Sequence, residues 1–97
     1  MFYAISRWLE RRRAIRRRWQ ADARELLRVD ELGAYYAAQR LAARARADGS
    51  AGEFLHWSKV AAEVARVSPR AEMNLATVQA IVDEELRGDG RTGGPTG

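Results

Sequence analysis

Cysteine is absent from the 97 residues, which excludes disulfides, thiolate catalysis and any zinc site that needs sulfur. Histidine occurs once, as His56. On a third helix it falls beside the apolar face, between Leu55 and Trp57, where a structural role is expected. No zincin-like spacing and no serine flanked by glycines is found. Asp83, Glu84 and Glu85 occupy successive, divergent helix positions and do not form a facing pair for acid–base work. The glycines near the end of the chain follow no strand, so they make no phosphate loop. The expectation is a protein that is not an enzyme, with no cofactor, no metal and no small-molecule substrate.

Long apolar runs are also missing. None approaches the roughly 20 residues of a membrane span. A secretory signal places its charges before an apolar stretch, whereas here Met1-Phe2-Tyr3-Ala4-Ile5 precedes the arginines. The expected location is therefore the cytoplasm, where the protein is made, with the membrane face as a place of association. Large apolar side chains are sparse and alanine fills most other apolar positions. Alanine favours helix and lets helix axes approach closely. A chain of this length has a thin core, so the fold is expected to lean on a partner or a second copy.

What is present is a charge asymmetry. The net charge is +4. Residues 1–20 hold seven arginines against one glutamate, a balance of +6, and the remainder holds ten bases against twelve acids, a balance of −2. A basic arm on a near-neutral body follows.

The predicted fold is all-α. It is a small three- to four-helix bundle with a long basic amphipathic N-terminal helix and a disordered Gly-rich C-terminal tail. Its parts are a basic helix over 1–28, a small helical domain over 30–87 and a tail over 88–97. Ile5, Trp8, Leu9, Ile15, Trp19, Ala23, Leu26 and Leu27 fall within about 120° of a helical wheel, an amphipathic pattern. Asp30 is placed as the N-cap of a second helix to about Ala47, whose inner stripe is Ala34, Ala38, Leu41, Ala42 and Ala45. Arg40 and Arg44 point away from that stripe. Ser50-Ala51-Gly52-Glu53 reads as a capping box, opening a third helix over 51–67 that packs through Phe54, Trp57, Val60, Ala61, Val64 and Val67. Ser68-Pro69 ends it, with Pro69 able to open a new turn. A fourth helix is clearest from Leu75, with Leu75, Val78, Val82 and Leu86 on one side; Asn74 is a possible cap.

The segment Trp8–Trp19 carries the strongest signal. Its tryptophans lie eleven positions apart, on nearly the same side of a helix and about 16 Å from one another. Arg12 and Arg16 sit between them on that side. Arginine on an apolar face is costly in a dry core but natural against an anionic surface, where its stem lies on apolar groups and its head meets phosphate. Arg12 is also placed to stack on Trp8. The residues assigned to anionic-surface binding are Arg11, Arg12, Arg13, Arg16, Arg17 and Arg18 for charge, with Trp8, Ile15 and Trp19 for insertion.

Three partners suit such an arm. An anionic membrane surface fits its composition best, Phe2 and Tyr3 adding interface-loving aromatics. Nucleic acid fits the charge, an Arg-rich helix lying in a groove and tryptophan stacking on bases. An acidic protein partner or a homo-oligomer also fits, with Asp83-Glu84-Glu85 as a candidate within the chain itself. A plainer alternative makes the arm the first helix of a structural bundle or adaptor subunit, with both tryptophans in the core.

Two resemblances complete the reading. Residues 60–68 followed by 76–81 look like a bacterial helix-turn-helix, but Arg66 stands at the turn glycine and about five extra residues precede Thr77. Ala21-Asp22-Ala23-Arg24-Glu25-Leu26-Leu27, Ala34-Tyr35-Tyr36-Ala37-Ala38-Gln39-Arg40 and His56-Trp57-Ser58-Lys59-Val60 resemble segments of a loose class of short, Arg/Ala-rich helical proteins of alphaproteobacteria. That likeness covers about residues 8–65. It implies a bacterial, intracellular origin and nothing about function.

Overall fold

A computed structural model describes the backbone of residues 2–92 and the side chains of 4–88. Within those residues the chain forms four helices and no strand: α1 Phe2–Val29, α2 Ala34–Ala47, α3 Ala51–Val67 and α4 Leu75–Thr92. The all-α expectation holds. Residues 93–97 of the expected tail lie outside the described residues, and α4 is continuous up to them.

The helices are joined by short, chemically explicit turns. Asp30 Oδ1 accepts a hydrogen bond from Gly33 N at 3.2 Å, so the aspartate caps a preliminary turn rather than α2 itself. The helix proper starts four residues later than Asp30, behind Gly33. Its other end is a Schellman motif. Ser50 N donates to Ala45 O at 2.8 Å and Gly49 N to Arg46 O at 3.1 Å. Gly49 supplies the positive φ of 74° that this closure requires. An L side chain there costs roughly 1–2 kcal/mol.

Ser50 is the N-cap of α3 by position, yet its side chain makes no capping hydrogen bond. The expected capping box is thus not formed, because Glu53 reaches across to Arg18 of α1 instead. Ser68 ends α3, and the extended backbone that precedes Pro69 stops the helix. No new helical turn opens at Pro69; residues 68–74 form an irregular crossing. Ser68 is buried and anchors it, donating to Glu31 Oε2 at 2.9 Å and accepting from Arg70 N and Ala71 N. Glu72 N donates to Leu32 O at 3.0 Å. Asn74 is a true N-cap, its Oδ1 accepting from Thr77 N at 3.1 Å.

Helix α2 is the hub. It meets α1, α3 and α4, while among the described residues α4 approaches no helix but α2. Cross-contacts fix the directions. Arg18 meets Glu53 and Asp22 meets His56, so α1 and α3 run parallel. Tyr36 meets the start of α4 and Arg44 meets Glu85, so α2 and α4 run parallel to each other. Since α3 and α4 do not pack together, the helix-turn-helix likeness has no structural counterpart among the described residues.

The core is small, as alanine-rich helices dictate. Ala23, Ala34, Ala38, Val60, Ala61, Val64 and Ala71 form its buried centre, with Trp19, Leu26, Leu27, Tyr35 and Trp57 partly buried around it. The predicted α2 stripe is confirmed at Ala34, Ala38, Ala42 and Ala45. Two expectations for α3 are corrected. Phe54 and Val67 are exposed, whereas His56 is buried in their stead. Phe54 lies at the rim of the inward arc in the first turn, and Val67 is the last residue of the helix. On α4 the buried side chain is Ile81, and Leu75, placed on the inner side from sequence, is 83 % exposed.

Candidate functional site

Helix α1 has two halves with different fates. From Trp19 onward its apolar side packs on α2 and α3. Before Trp19, every described side chain from Ala4 to Arg18 is exposed. At 1.5 Å per residue this exposed stretch is about 22 Å long. It carries a ridge of exposed apolar groups: Ile5 and Trp8 at 55 % exposure and Ile15 at 50 %, with Leu9 beside them. The alternative in which both tryptophans lie in the core is therefore corrected. Trp19 is half-buried and Trp8 stands in solvent, because α3 begins only at Ala51, level with Arg18.

The charges follow the same division. Among the described residues Arg7, Arg11, Arg13, Arg16 and Arg17 meet no carboxylate, while Arg18 reaches Glu53 Oε2 at 3.5 Å. Arg12 lies over the Trp8 ring, 4.8 Å from its centroid, as the i,i+4 spacing predicts. The chain's own acidic candidate is corrected. Glu84 pairs with Arg40, and Glu85 with both Arg40 and Arg44, at 2.6 and 3.2 Å respectively. Asp83 accepts from Gln79. These acids bind α4 to α2 and neutralise nothing on the arm. Phe2 and Tyr3 lie outside the described side chains.

Where the arm leaves the body, α1 and α3 enclose a cleft that the sequence did not disclose. One part, about 220 Å³, is lined by Ile15, Arg18, Trp19, Gly52, Leu55, His56 and Lys59. The adjoining part, about 180 Å³, is lined by Arg12, Ile15, Arg16, Trp19 and Lys59. The Lys59 ammonium lies 5.4 Å from the Trp19 ring centroid. Of the assigned surface residues, Arg12, Ile15, Arg16, Arg18 and Trp19 thus meet at this cleft. Arg11, Arg13 and Arg17 do not line it, and Trp8 lies farther out on the arm. Lys59 and Leu55 are additions. In sequence Lys59 is one base on a mixed helix, and only the parallel register of α1 and α3 reveals its place.

His56 closes the inner wall of the cleft. Its Nε2 lies 2.7 Å from Asp22 Oδ2, and its ring meets Trp57 edge-on at 4.8 Å. The histidine is 7 % exposed and tied to the α1–α3 contact. No group of three or more metal-ligating side chains occurs among the described residues. None of the described helices is long and apolar enough to cross a membrane. Comparison with protein-family models, with curated proteins and with solved structures gives no match.

Proposed function

We propose that this is a non-enzymatic helical accessory protein whose basic N-terminal arm docks on an anionic membrane face. The observation that carries the reading is the overhang of α1, exposed on all sides, on which apolar groups and uncompensated arginines alternate. Arginines that meet no acid are available to phosphate, and each adds up to about 1 kcal/mol at an anionic lipid surface. Ile5, Trp8, Leu9 and Ile15 give the apolar component that lets an amphipathic helix lie in the interface plane. Nucleic acid has use for the arginines and for stacking on Trp8, but it gives no role to an aliphatic ridge of Ile5, Leu9 and Ile15. That ridge favours lipid.

The test is tryptophan emission of the full chain titrated with vesicles of phosphatidylglycerol and phosphatidylcholine, with duplex and single-stranded DNA in parallel. Membrane docking gives a blue shift with anionic vesicles that survives moderate salt. Nucleic-acid binding instead loses affinity linearly in log salt. A protein that binds none of these and elutes as an oligomer is a structural subunit, and the membrane reading is then wrong.

A further inference from the structure

We propose that the cleft between α1 and α3 is a binding site for the phosphate headgroup and glycerol–acyl root of a single anionic phospholipid. The proposal rests on the membrane reading above and deepens it. It assigns one discrete lipid site at the base of an arm that otherwise contacts lipid diffusely.

Three cationic side chains, Arg12, Arg16 and Lys59, line one end of the cleft. The carboxylates of the neighbouring elements are already paired, two of them with Arg18 and His56 of the cleft's other end. Glu53 pairs with Arg18, Asp22 with His56, and Glu63 with Arg66 at 2.6 Å. Among the described residues no acid lines the cleft. Two guanidiniums and an ammonium with no carboxylate among them are mutually repulsive until an anion enters, and a phosphate accepts charge-assisted hydrogen bonds from all three side chains.

The floor distinguishes lipid from free phosphate. Ile15, Trp19 and Leu55 supply it, and Leu55 is 58 % exposed although it is an aliphatic side chain at a concave place. A bare phosphate leaves that surface wet, whereas a phosphate ester with an attached apolar chain covers it. The ridge of the arm also continues into the cleft through Ile15, so an arm lying in the interface plane brings the cleft to headgroup depth.

The experiment uses the isotope-labelled full chain and follows the Trp19 indole resonance. Dihexanoyl phosphatidylglycerol, kept below its micelle concentration, is compared with dihexanoyl phosphatidylcholine and inorganic phosphate. The expected result is a saturable shift with the anionic lipid, about tenfold weaker for the other two, one such step being 1.4 kcal/mol. The double variant Arg16→Gln/Lys59→Gln should weaken it about tenfold or more. Arg13→Gln/Arg17→Gln removes the same charge away from the cleft and should leave monomer binding unchanged while weakening vesicle binding. All four side chains are exposed, and circular dichroism checks that each variant stays folded. Equal losses in both variants, or equal affinity for inorganic phosphate, would overturn the site. If vesicles bind but no monomeric lipid saturates the cleft, the site is wrong and the arm reading stands. If neither binds, both are wrong.

Discussion

Asp22 Oδ2 and His56 Nε2 stand 2.7 Å apart across the α1–α3 contact, the histidine buried and the aspartate half-exposed. The pair is asymmetric in consequence. Deprived of its partner, Asp22 still reaches water, whereas His56 keeps a polar nitrogen inside the fold. An unsatisfied buried donor costs about 1–3 kcal/mol. Asp22→Ala should therefore destabilise by that amount in urea unfolding, and Asp22→Asn, which retains an acceptor oxygen, by less. An Asp22→Ala protein as stable as the parent would show that the contact contributes nothing.

A second relationship sets the pH response. Glu85 is held below the usual carboxylate range, first by its hydrogen bonds to Arg44 and then by those to Arg40, with burial opposing them. A carboxyl with a depressed folded pKa contributes stability that is present above its unfolded value and is lost as pH falls through the folded one. Among the described residues α4 touches no helix but α2, so this loss falls on α4 before the rest. Amide exchange should show α4 losing protection relative to α2 and α3 as the solution is taken from neutral to below the usual carboxylate range. Glu85→Gln should lower α4 protection at neutral pH and flatten its acid response. Uniform loss across all helices would contradict the latch.

These two pairs also mark where sequence reading stops. The alanine stripe Ala34–Ala38–Ala42–Ala45 and the Trp8–Arg12 stacking are legible because each depends only on helical period. Asn74 is legible as turn chemistry, and Asp48-Gly49 as a helix break. By contrast, Glu53 is expected at Ser50 and found with Arg18, and Glu84 and Glu85 are expected at the arm and found on α2. In each case a local or charge-matched partner competes with one that only tertiary packing supplies, and a charged pair costs little to redirect on a surface. The exchange of Phe54 for His56 has the same origin. Hydropathy favours burying phenylalanine, but the buried face of α3 is set by Val60, Ala61 and Val64, and His56 lies in that arc one turn earlier.

Trp8 and Trp19 share one helical face and differ in surroundings, which separates docking from stability. Trp8 stands in solvent with Arg12 over its ring, so Trp8→Ala should change stability by no more than about 0.5 kcal/mol, as exposed substitutions do. Trp19 packs against the core cluster that holds Ala23 and the buried side of α3. Removing a core tryptophan costs about 3–5 kcal/mol, and a half-buried one should cost at least about 2 kcal/mol. Urea unfolding decides this directly. A Trp8→Ala variant destabilised as much as Trp19→Ala would mean that the arm folds back on the body in solution, and the overhang would be wrong.

The projecting arm should also be only conditionally helical, and the sign of the salt effect is fixed by its charges. Arg7–Arg11, Arg12–Arg16 and Arg13–Arg17 stand one turn apart, and each like pair opposes helix by about 0.2–0.5 kcal/mol. Among the described residues no acid pairs with these arginines, and of the six only Arg12 and Arg16 line the cleft. Screening shortens the range of the repulsion from about 30 Å at 0.01 M to about 8 Å at 0.15 M, so helicity should rise with salt. Ordinary surface ion pairs such as Arg28–Glu25 and Arg66–Glu63 weaken over the same range, so a net gain in ellipticity at about 222 nm isolates the arm. Arg13→Glu replaces one repulsive pair with a carboxylate one turn ahead of Arg17, the favourable i,i+4 orientation. That variant should be more helical than the parent at low salt and respond less to added salt. Equal, flat salt curves for both proteins would mean that charge repulsion does not govern the arm, and its readiness for an anionic surface would lose its physical basis.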